Sequence, residues 1–219
     1  MPCKLPLPIV YPITSGTTTR QTIPDDPHLS NILRLAQAAV DAEVPLFQIR
    51  EKSLSSRVLY ELVTSARAIM RGSQTRLLVN DNVEIAQAAG ADGVQLTSRS
   101  LPTPVVRRLC GSDFLIGVST HTVEEAIRAQ KGGADFILFG PIFETESKRV
   151  FGAPQGLDKL EEVTAAVVKI PVVAIGGITL DTVGPCFESG ALGVAAIRLL
   201  NDVETLSQTV EEIRRRFAE

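Results

Sequence analysis

Residues 170–178 read Ile-Pro-Val-Val-Ala-Ile-Gly-Gly-Ile, an apolar run that two glycines bring to an end. Such a run is typical of a parallel strand that is buried on both faces. Thr179 and Asp181 then open a helical pattern. Because Gly176 and Gly177 have no Cβ atom, a ligand can approach their backbone closely. A strand that leads through a glycine turn into a helix suits a phosphate group, although a plain tight turn would have the same sequence.

The same unit, a strand followed by a helix, repeats along the chain. Apolar runs predict strands at residues 9–13, 44–50, 76–80, 93–96, 114–118, 134–139, 171–175 and 193–197. Helical spacing of apolar residues predicts helices at 29–40, 55–69, 83–89, 103–109, 157–168, 179–188 and 203–217. A further helix opens at Thr122, where residues 122–125 have the spacing of a capping box.

Eight such units predict the fold. Strands that alternate with helices form a parallel sheet. Eight units favour a closed (β/α)₈ TIM barrel that spans residues 1–219 as a single domain. A doubly wound open sheet is the alternative, but it more often has five or six strands.

The composition limits the partners and the location of the protein. A net charge of −3 without a basic block, and an aromatic content of 5%, argue against nucleic acid as a partner. No apolar run is long enough to span a membrane, and residues 1–8 lack the apolar core of a signal peptide. The three widely spaced cysteines favour reduced thiols over a disulfide or a metal site. We therefore expect a cytoplasmic protein.

The second strand ends in a charged segment, residues 48–52. Side chains alternate along a strand, so Gln48, Arg50 and Lys52 share one face. In a TIM barrel the active site lies at the carboxyl ends of the strands. If this face points inward, its two cations need either a carboxylate from a neighbouring strand or an anionic ligand. Two cations on one face favour the ligand.

Other strands also end in polar residues. The third strand ends at Asn80 and Asp81, and the fifth is followed by Ser119 and His121. Asp81 could simply cap the next helix, and His121 could be a packed neutral histidine. For His121, the position at the mouth of a barrel gives the functional interpretation equal weight.

The last strands predict a phosphate site. Loops after strands seven and eight hold phosphate in many barrels of this type. Strand eight is predicted to end at Arg198, beside the turn formed by Gly176 and Gly177. The loop after strand six carries Lys148, which could lie over an anionic ligand as part of a lid. The residues alone therefore predict a barrel enzyme for a small phosphorylated substrate.

At these positions the chain resembles the thiamine phosphate synthase/TenI superfamily. The matching segments are residues 48–52, 80–81, 118–122, 139–143, 145–148 and 174–178. The resemblance implies a TIM barrel, often a homodimer, that binds a thiazole phosphate at the glycine turn. It also implies that substrate is bound by Gln48, Arg50, Lys52, Asn80, Ser119, Thr145, Lys148, Gly176 and Gly177, whereas the phosphate role of Arg198 rests on its position beside the glycine turn.

Two activities occur in this superfamily. The synthase joins hydroxymethylpyrimidine pyrophosphate to thiazole phosphate, and the resemblance implies that Arg50, Lys52, Asn80 and Lys148 would hold the pyrophosphate. Asp81 would then be a Mg²⁺ ligand. The TenI proteins catalyse tautomerisation of a thiazole carboxylate phosphate without a metal cofactor, and His121 matches their general acid/base.

The sequence departs from the synthase pattern after strand four. Ser100 occupies the position of a second magnesium-binding aspartate, and Arg99 adds positive charge beside it. Gln95 and its neighbours resemble TenI proteins instead, and Arg198 replaces a serine found in both groups. The missing carboxylate at Ser100, together with His121, favours a thiazole tautomerase with His121 as its catalytic residue. A Mg²⁺-dependent synthase and a non-catalytic protein that binds thiazole or thiamine phosphate are the alternatives.

Overall fold

The computed structural model describes residues 5–144 and 153–219, in which strands and helices alternate. The strands are β1 (Ile9–Pro12), β2 (Leu46–Ile49), β3 (Arg76–Asn80), β4 (Gly93–Leu96), β5 (Leu115–Thr120), β6 (Phe136–Phe139), β7 (Val172–Ile175) and β8 (Gly193–Ala196). The helices are α1 (Pro27–Asp41), α2 (Ser56–Met70), α3 (Val83–Ala88), α4 (Thr103–Cys110), α5 (Val123–Lys131), α6 (Gly156–Ala166), α7 (Leu180–Glu188) and α8 (Leu206–Ala218).

The eight strands form one parallel sheet in the order β1-β8-β7-β6-β5-β4-β3-β2. A parallel bridge between Ile13 and Gln48 joins its two ends. The backbone N–H of Thr14 also donates to the carbonyl oxygen of Gln48 at 3.0 Å. These contacts close the sheet into a barrel, which confirms the predicted fold and excludes the open doubly wound sheet.

The barrel has an apolar interior and an apolar outer layer. Side chains that fill the interior include Ile9, Tyr11, Leu46, Leu78, Phe136 and Val173. Tyr11 and Phe136 meet edge to face, with their ring centroids 5.7 Å apart. The outer faces of the strands pack against the helices in a second, larger cluster. Within residues 5–144 and 153–219, no helix is both long and apolar enough to cross a membrane.

The structure corrects the predicted end of strand eight. β8 ends at Ala196, and Arg198 begins a one-turn 3₁₀ helix, Arg198–Leu200. Ile197 has a helical backbone conformation (φ −90°, ψ −72°), so the extended chain stops before Arg198. Conversely, β5 runs on to Thr120, two residues beyond its predicted end.

Candidate active site

A layer of polar side chains lies above the apolar interior, at the carboxyl ends of the strands. Gln48 Nε2 donates to Asn80 Oδ1 at 3.2 Å, and Gln95 Nε2 donates to Ser119 Oγ at 3.1 Å. The Tyr11 hydroxyl donates to Gln95 Oε1 at 3.3 Å. Complete burial raises the pKa of Tyr11 well above 10.0, so the phenol stays a donor and fixes the orientation of Gln95.

A cavity of about 520 Å³ opens above this layer. The structure brings seven of the predicted site residues to its walls: Gln48, Arg50, Lys52, Asn80, Asp81, Ser119 and His121. Seven further polar residues line it as well: Ser15, Glu51, Asn82, Gln95, Thr97, Ser98 and Arg99. The polar strand ends therefore form one site.

The cavity carries an excess of positive charge. Arg50, Lys52 and Arg99 line it together with two carboxylates, Glu51 and Asp81. No salt bridge forms on any of the three cationic groups within the described part of the chain. Partial burial and then the Arg50 charge lower the pKa of Lys52; Asp81 opposes that shift and Arg99 adds to it. Of the two explanations for the inward cations, this arrangement favours an anionic ligand over a structural salt bridge.

Asp81 sits in a tight turn at the end of β3. Its φ of 62° is rare for a residue other than glycine, and the N–H of Asn82 donates to the Asn80 carbonyl oxygen at 2.8 Å across the turn. The Asp81 carboxylate accepts hydrogen bonds from the hydroxyls of Thr97, at 3.0 and 3.1 Å, and Ser100. Helix α3 has no side-chain cap. Asp81 is therefore not the helix cap that the sequence allowed.

His121 is fixed from both sides. Its Nδ1 lies against the carbonyl oxygen of Gly140, which can only accept, so Nδ1 carries the proton in the neutral ring. Nε2 is then the basic nitrogen. The backbone N–H of His121 donates to Glu125 Oε2 at 2.7 Å, while Thr122 Oγ1 accepts from the Glu125 N–H at 3.2 Å. Thr122 therefore caps α5 as predicted. The Glu125 carboxylate, however, accepts from the backbone N–H of His121 rather than from that of Thr122.

The glycine turn packs beneath the loop after β6. Gly176 and Gly177 have φ angles of 100° and 67°. A Cβ on Gly176 would lie 2.6 Å from Pro141 Cα, and one on Gly177 would lie 2.6 Å from Phe143 Cβ. The N–H of Phe143 donates to the Gly176 carbonyl oxygen at 3.0 Å. Glycine is thus required here for backbone packing, whatever the turn binds.

Three predicted site residues within the described part of the chain, Gly176, Gly177 and Arg198, do not line the cavity. Its wall includes Ile175 and Ile197, the residues that directly precede the glycine pair and Arg198. A phosphate role for Gly176, Gly177 and Arg198 therefore stays a prediction. Thr145 and Lys148 lie outside the described residues.

Of the residues that the sequence analysis missed, Glu51 and Thr97 make the clearest contacts. Thr97 directly follows β4, so the rule applied to the other strand ends would have found it. Glu51 follows the end of β2 beside Arg50, and no local pattern indicates what it contacts. Within the described residues, no group of three or more His, Cys, Asp or Glu side chains could hold a metal ion.

A TIM barrel with a cationic mouth and a fixed histidine is typical of enzymes that act on small phosphorylated molecules. Residues 18–200 match the TMP-TENI family model, described as thiamine monophosphate synthase. The chain belongs to this family and is an enzyme of thiamine biosynthesis.

Individual relatives agree with the family. A Geobacter sulfurreducens protein provisionally named thiamine-phosphate synthase is 44% identical over 167 residues, 76% of this chain and 78% of the relative. Thiamine-phosphate synthase of Moorella thermoacetica is 38% identical over 182 residues, 83% of this chain and 86% of the relative. The solved structure of thiamine phosphate pyrophosphorylase from Pyrococcus furiosus superimposes with a TM-score of 0.78 at 30% identity and 95% coverage of both chains. The homodimer and the cytoplasmic location stay predictions.

Proposed function

We propose that this protein is a thiamine-phosphate synthase, which joins hydroxymethylpyrimidine pyrophosphate to thiazole phosphate and releases pyrophosphate. The observation that carries the proposal is the cluster of Arg50, Lys52 and Arg99 beside Asp81 at the cavity wall, where the other lining carboxylate, Glu51, is already bonded to Gly16 and Thr18. The tautomerase substrate carries one phosphate and one carboxylate, whereas the synthase binds a pyrophosphate in addition to the thiazole phosphate. Relatives named thiamine-phosphate synthase support the same choice over the tautomerase that the sequence alone favoured.

The cations would act on the leaving group. In the synthase reaction the bond between the pyrimidine methylene carbon and the pyrophosphate oxygen breaks, and the thiazole nitrogen forms a new bond to that carbon. Negative charge grows on the departing pyrophosphate, and preorganised cations stabilise it most when water is excluded. Arg50, Lys52 and Arg99 supply this charge at the mouth of the cavity.

The polar layer below would orient the pyrimidine. Gln48 is 1% exposed, and its Oε1 has no hydrogen-bond partner among the residues that the structure describes. A buried acceptor without a partner costs free energy that a ligand donor can recover. The Oε1 atom therefore suits an amino group on the bound pyrimidine ring, while Gln95 and Ser119 satisfy each other.

The donor set near Asp81 fits Mg²⁺ only together with a phosphorylated substrate. One carboxylate and the hydroxyls of Thr97 and Ser100 are hard oxygen donors. Mg²⁺ is commonly held by one or two carboxylates plus substrate phosphates. Asp81 would hold the ion, whose charge would help to neutralise the pyrophosphate.

A thiazole tautomerase is the second candidate, and His121 favours it. With Nδ1 bonded to Gly140, the Nε2 atom can accept a proton from a ligand and return it at another position. Aromatisation of a thiazole ring by proton transfer needs such a group. The two activities can share this cavity because both use a thiazole phosphate.

The test offers the purified protein both sets of substrates, with and without Mg²⁺. We expect thiamine phosphate to form from the pyrimidine pyrophosphate and thiazole phosphate, and chelation of Mg²⁺ to reduce its rate. Turnover of the thiazole tautomer alone would refute the synthase. Thermal stabilisation by thiazole phosphate without turnover in either assay would leave only the non-catalytic binding protein.

A matched pair of variants tests the role of the charge cluster. A hydrogen bond to a charged group is worth about 1.5–3 kcal/mol. We therefore expect Arg99→Gln to raise the KM for the pyrimidine pyrophosphate by about tenfold or more. Arg108→Gln, on the exposed side of α4, removes the same charge away from the cavity and should leave KM unchanged. Equal KM values in the two variants would contradict the assignment of Arg99.

A further inference from the structure

The barrel is closed at one seam, between β1 and β2. Backbone pairing there consists of the bridge between Ile13 and Gln48 and the hydrogen bond from the Thr14 N–H to the Gln48 carbonyl oxygen. Just beyond it, the Arg50 N–H donates to the Thr14 side-chain Oγ1 at 2.8 Å. Toward the cavity, side-chain hydrogen bonds therefore replace backbone pairing between the segments that follow β1 and β2.

Glu51 continues the seam with a buried carboxylate. It is 3% exposed and accepts from the Gly16 N–H at 3.1 Å, the Thr18 N–H at 3.3 Å and the Thr18 hydroxyl at 2.6 Å. A buried carboxylate is costly unless hydrogen bonds replace its water. Here all three donors belong to one short segment, residues 14–18, which follows β1. The carboxylate therefore anchors this segment to the end of β2.

The anchored segment touches the anion-binding residues. Ser15 lines the cavity beside Arg50. Gly16, with φ 73°, leaves space for Arg50: a Cβ there would be 3.2 Å from both Arg50 Nη1 and the Arg50 carbonyl oxygen. The guanidinium group therefore lies against the backbone that Glu51 holds. Without the Glu51 contacts, residues 14–18 could move away from Arg50, and its guanidinium group would lose the backbone that it packs against.

We propose that Glu51 is a positioning residue, which closes the barrel seam and holds residues 14–18 against Arg50 so that Arg50 faces the pyrophosphate. The choice of pyrophosphate as ligand rests on the proposed function, but the anchoring of the segment does not. Glu51 touches no reacting atom in this role. It acts through the orientation of Arg50.

Two variants remove the contacts to different extents. Glu51→Gln removes the charge and one acceptor, and Thr18→Val removes only the hydroxyl donor at nearly constant size. Misplacement of a binding group can cost up to about 100-fold in rate. We expect Glu51→Gln to weaken binding of inorganic pyrophosphate, measured by calorimetry, by about tenfold, and Thr18→Val to weaken it by roughly threefold. Amide hydrogen exchange at residues 15–18 should accelerate in both.

Glu61→Gln is the matched control. Glu61 is on α2 and pairs with Arg57 at the surface, so its removal should change neither pyrophosphate affinity nor exchange at residues 15–18. A folded Glu51→Gln protein with a lower melting temperature but wild-type affinity would show a purely structural role and overturn the proposal. If Glu51→Gln does not fold, wild-type affinity and exchange in Thr18→Val would overturn it.

The two proposals fail in different ways. A wild-type protein that binds no pyrophosphate, with or without Mg²⁺, would contradict the proposed function. Exchange at Gly16 and Thr18 would then decide whether Glu51 anchors the segment. Unchanged exchange in both variants would overturn the anchoring itself.

Discussion

The hydroxyl of Ser100 donates a hydrogen bond to the carboxylate of Asp81, across the mouth of the barrel between β3 and β4. The same hydroxyl accepts from the Thr97 N–H at 2.7 Å, so it bridges the loop after β4 to the end of β3. The contact helps to hold Asp81 in its unusual backbone conformation. It also shows that a side chain at position 100 reaches the group that would bind Mg²⁺.

This contact predicts the effect of a second carboxylate. Ser100→Asp would place two acidic side chains together, which repel each other without a metal and bind Mg²⁺ more tightly with it. We expect a lower melting temperature without Mg²⁺ and a larger stabilisation by Mg²⁺ than in the wild type, measured by thermal unfolding across a Mg²⁺ titration. Ser98→Asp adds the same charge to the cavity without the contact to Asp81 and is the control. Equal Mg²⁺ responses in the two variants would contradict this prediction.

The two candidate functions predict different results for His121. Loss of a general acid/base typically costs about 10²–10⁴-fold in rate. We expect His121→Ala to abolish any thiazole isomerisation, while thiamine phosphate formation, which depends on charge stabilisation, falls by less than about tenfold. Both products can be followed by chromatography. His28→Ala, which removes an exposed histidine bonded to Asp26, serves as the control. Loss of both activities in His121→Ala alone would show that the synthase also needs this proton carrier.

The lowered pKa of Lys52 predicts a pH-dependent stability. Between the lowered pKa and the ordinary value of 10.5, the folded protein binds fewer protons at this site than the unfolded chain does. The free energy of unfolding therefore rises with pH across that interval, and the charged form of Lys52 destabilises the ligand-free protein below it. We expect Lys52→Met to raise the melting temperature at about pH 7 and to reduce its rise toward pH 10. A melting temperature that falls in Lys52→Met would contradict an unfavourable environment for the Lys52 charge.

The pH dependence of pyrophosphate binding is a second test of the lowered pKa of Lys52. An anion beside Lys52 favours the charged form, so pyrophosphate affinity should decrease as the pH rises through the lowered pKa. Lys52→Met should lose this part of the pH dependence and bind pyrophosphate more weakly at neutral pH. Lys131→Met, at the exposed end of α5, is the control for lysine removal and should retain the wild-type profile.

The sequence predicts much of this site because strand periodicity and barrel geometry are simple rules. Gln48, Arg50 and Lys52 all line the cavity, although β2 itself ends at Ile49, and the shared edge of parallel strands brings them to Asp81 and His121. These relationships need no knowledge of packing.

Other features depend on contacts between distant segments. Glu51 bonds to Thr18, 33 residues earlier in the chain, and no local pattern encodes that contact. Arg198 directly follows the apolar run at residues 193–197, so the pattern predicts that it ends the strand. In the structure the backbone turns one residue earlier, at Ile197, which has a helical conformation. The sequence of the glycine pair fits either a ligand site or a plain tight turn. The structure shows that close packing against Pro141 and Phe143 is by itself a sufficient reason for both glycines. Packing and binding can demand the same residue, and sequence does not separate them.

A pair of glycine substitutions can distinguish a packing role of the glycine turn from a binding role. Gly177 and Gly90 have φ angles of 67° and 69°, but a Cβ on Gly177 would lie 2.6 Å from Phe143 Cβ, whereas a Cβ on Gly90 has no neighbour within 4 Å. Left-handed backbone costs an alanine about 1–2 kcal/mol at either site. We expect Gly177→Ala to lose about 1–3 kcal/mol more than Gly90→Ala in urea unfolding, because it also overpacks the loop after β6.

Binding of inorganic phosphate to the same two variants, at a temperature where both are folded, then tests the turn as a ligand site. If the amides of Gly176 and Gly177 hold phosphate, displacement of the turn in Gly177→Ala weakens that binding, and Gly90→Ala keeps the wild-type affinity. Equal phosphate affinities with unequal stabilities would assign the glycine pair to packing alone. The phosphate of the substrate would then have to be held by the cations on the opposite side of the cavity, around Arg50.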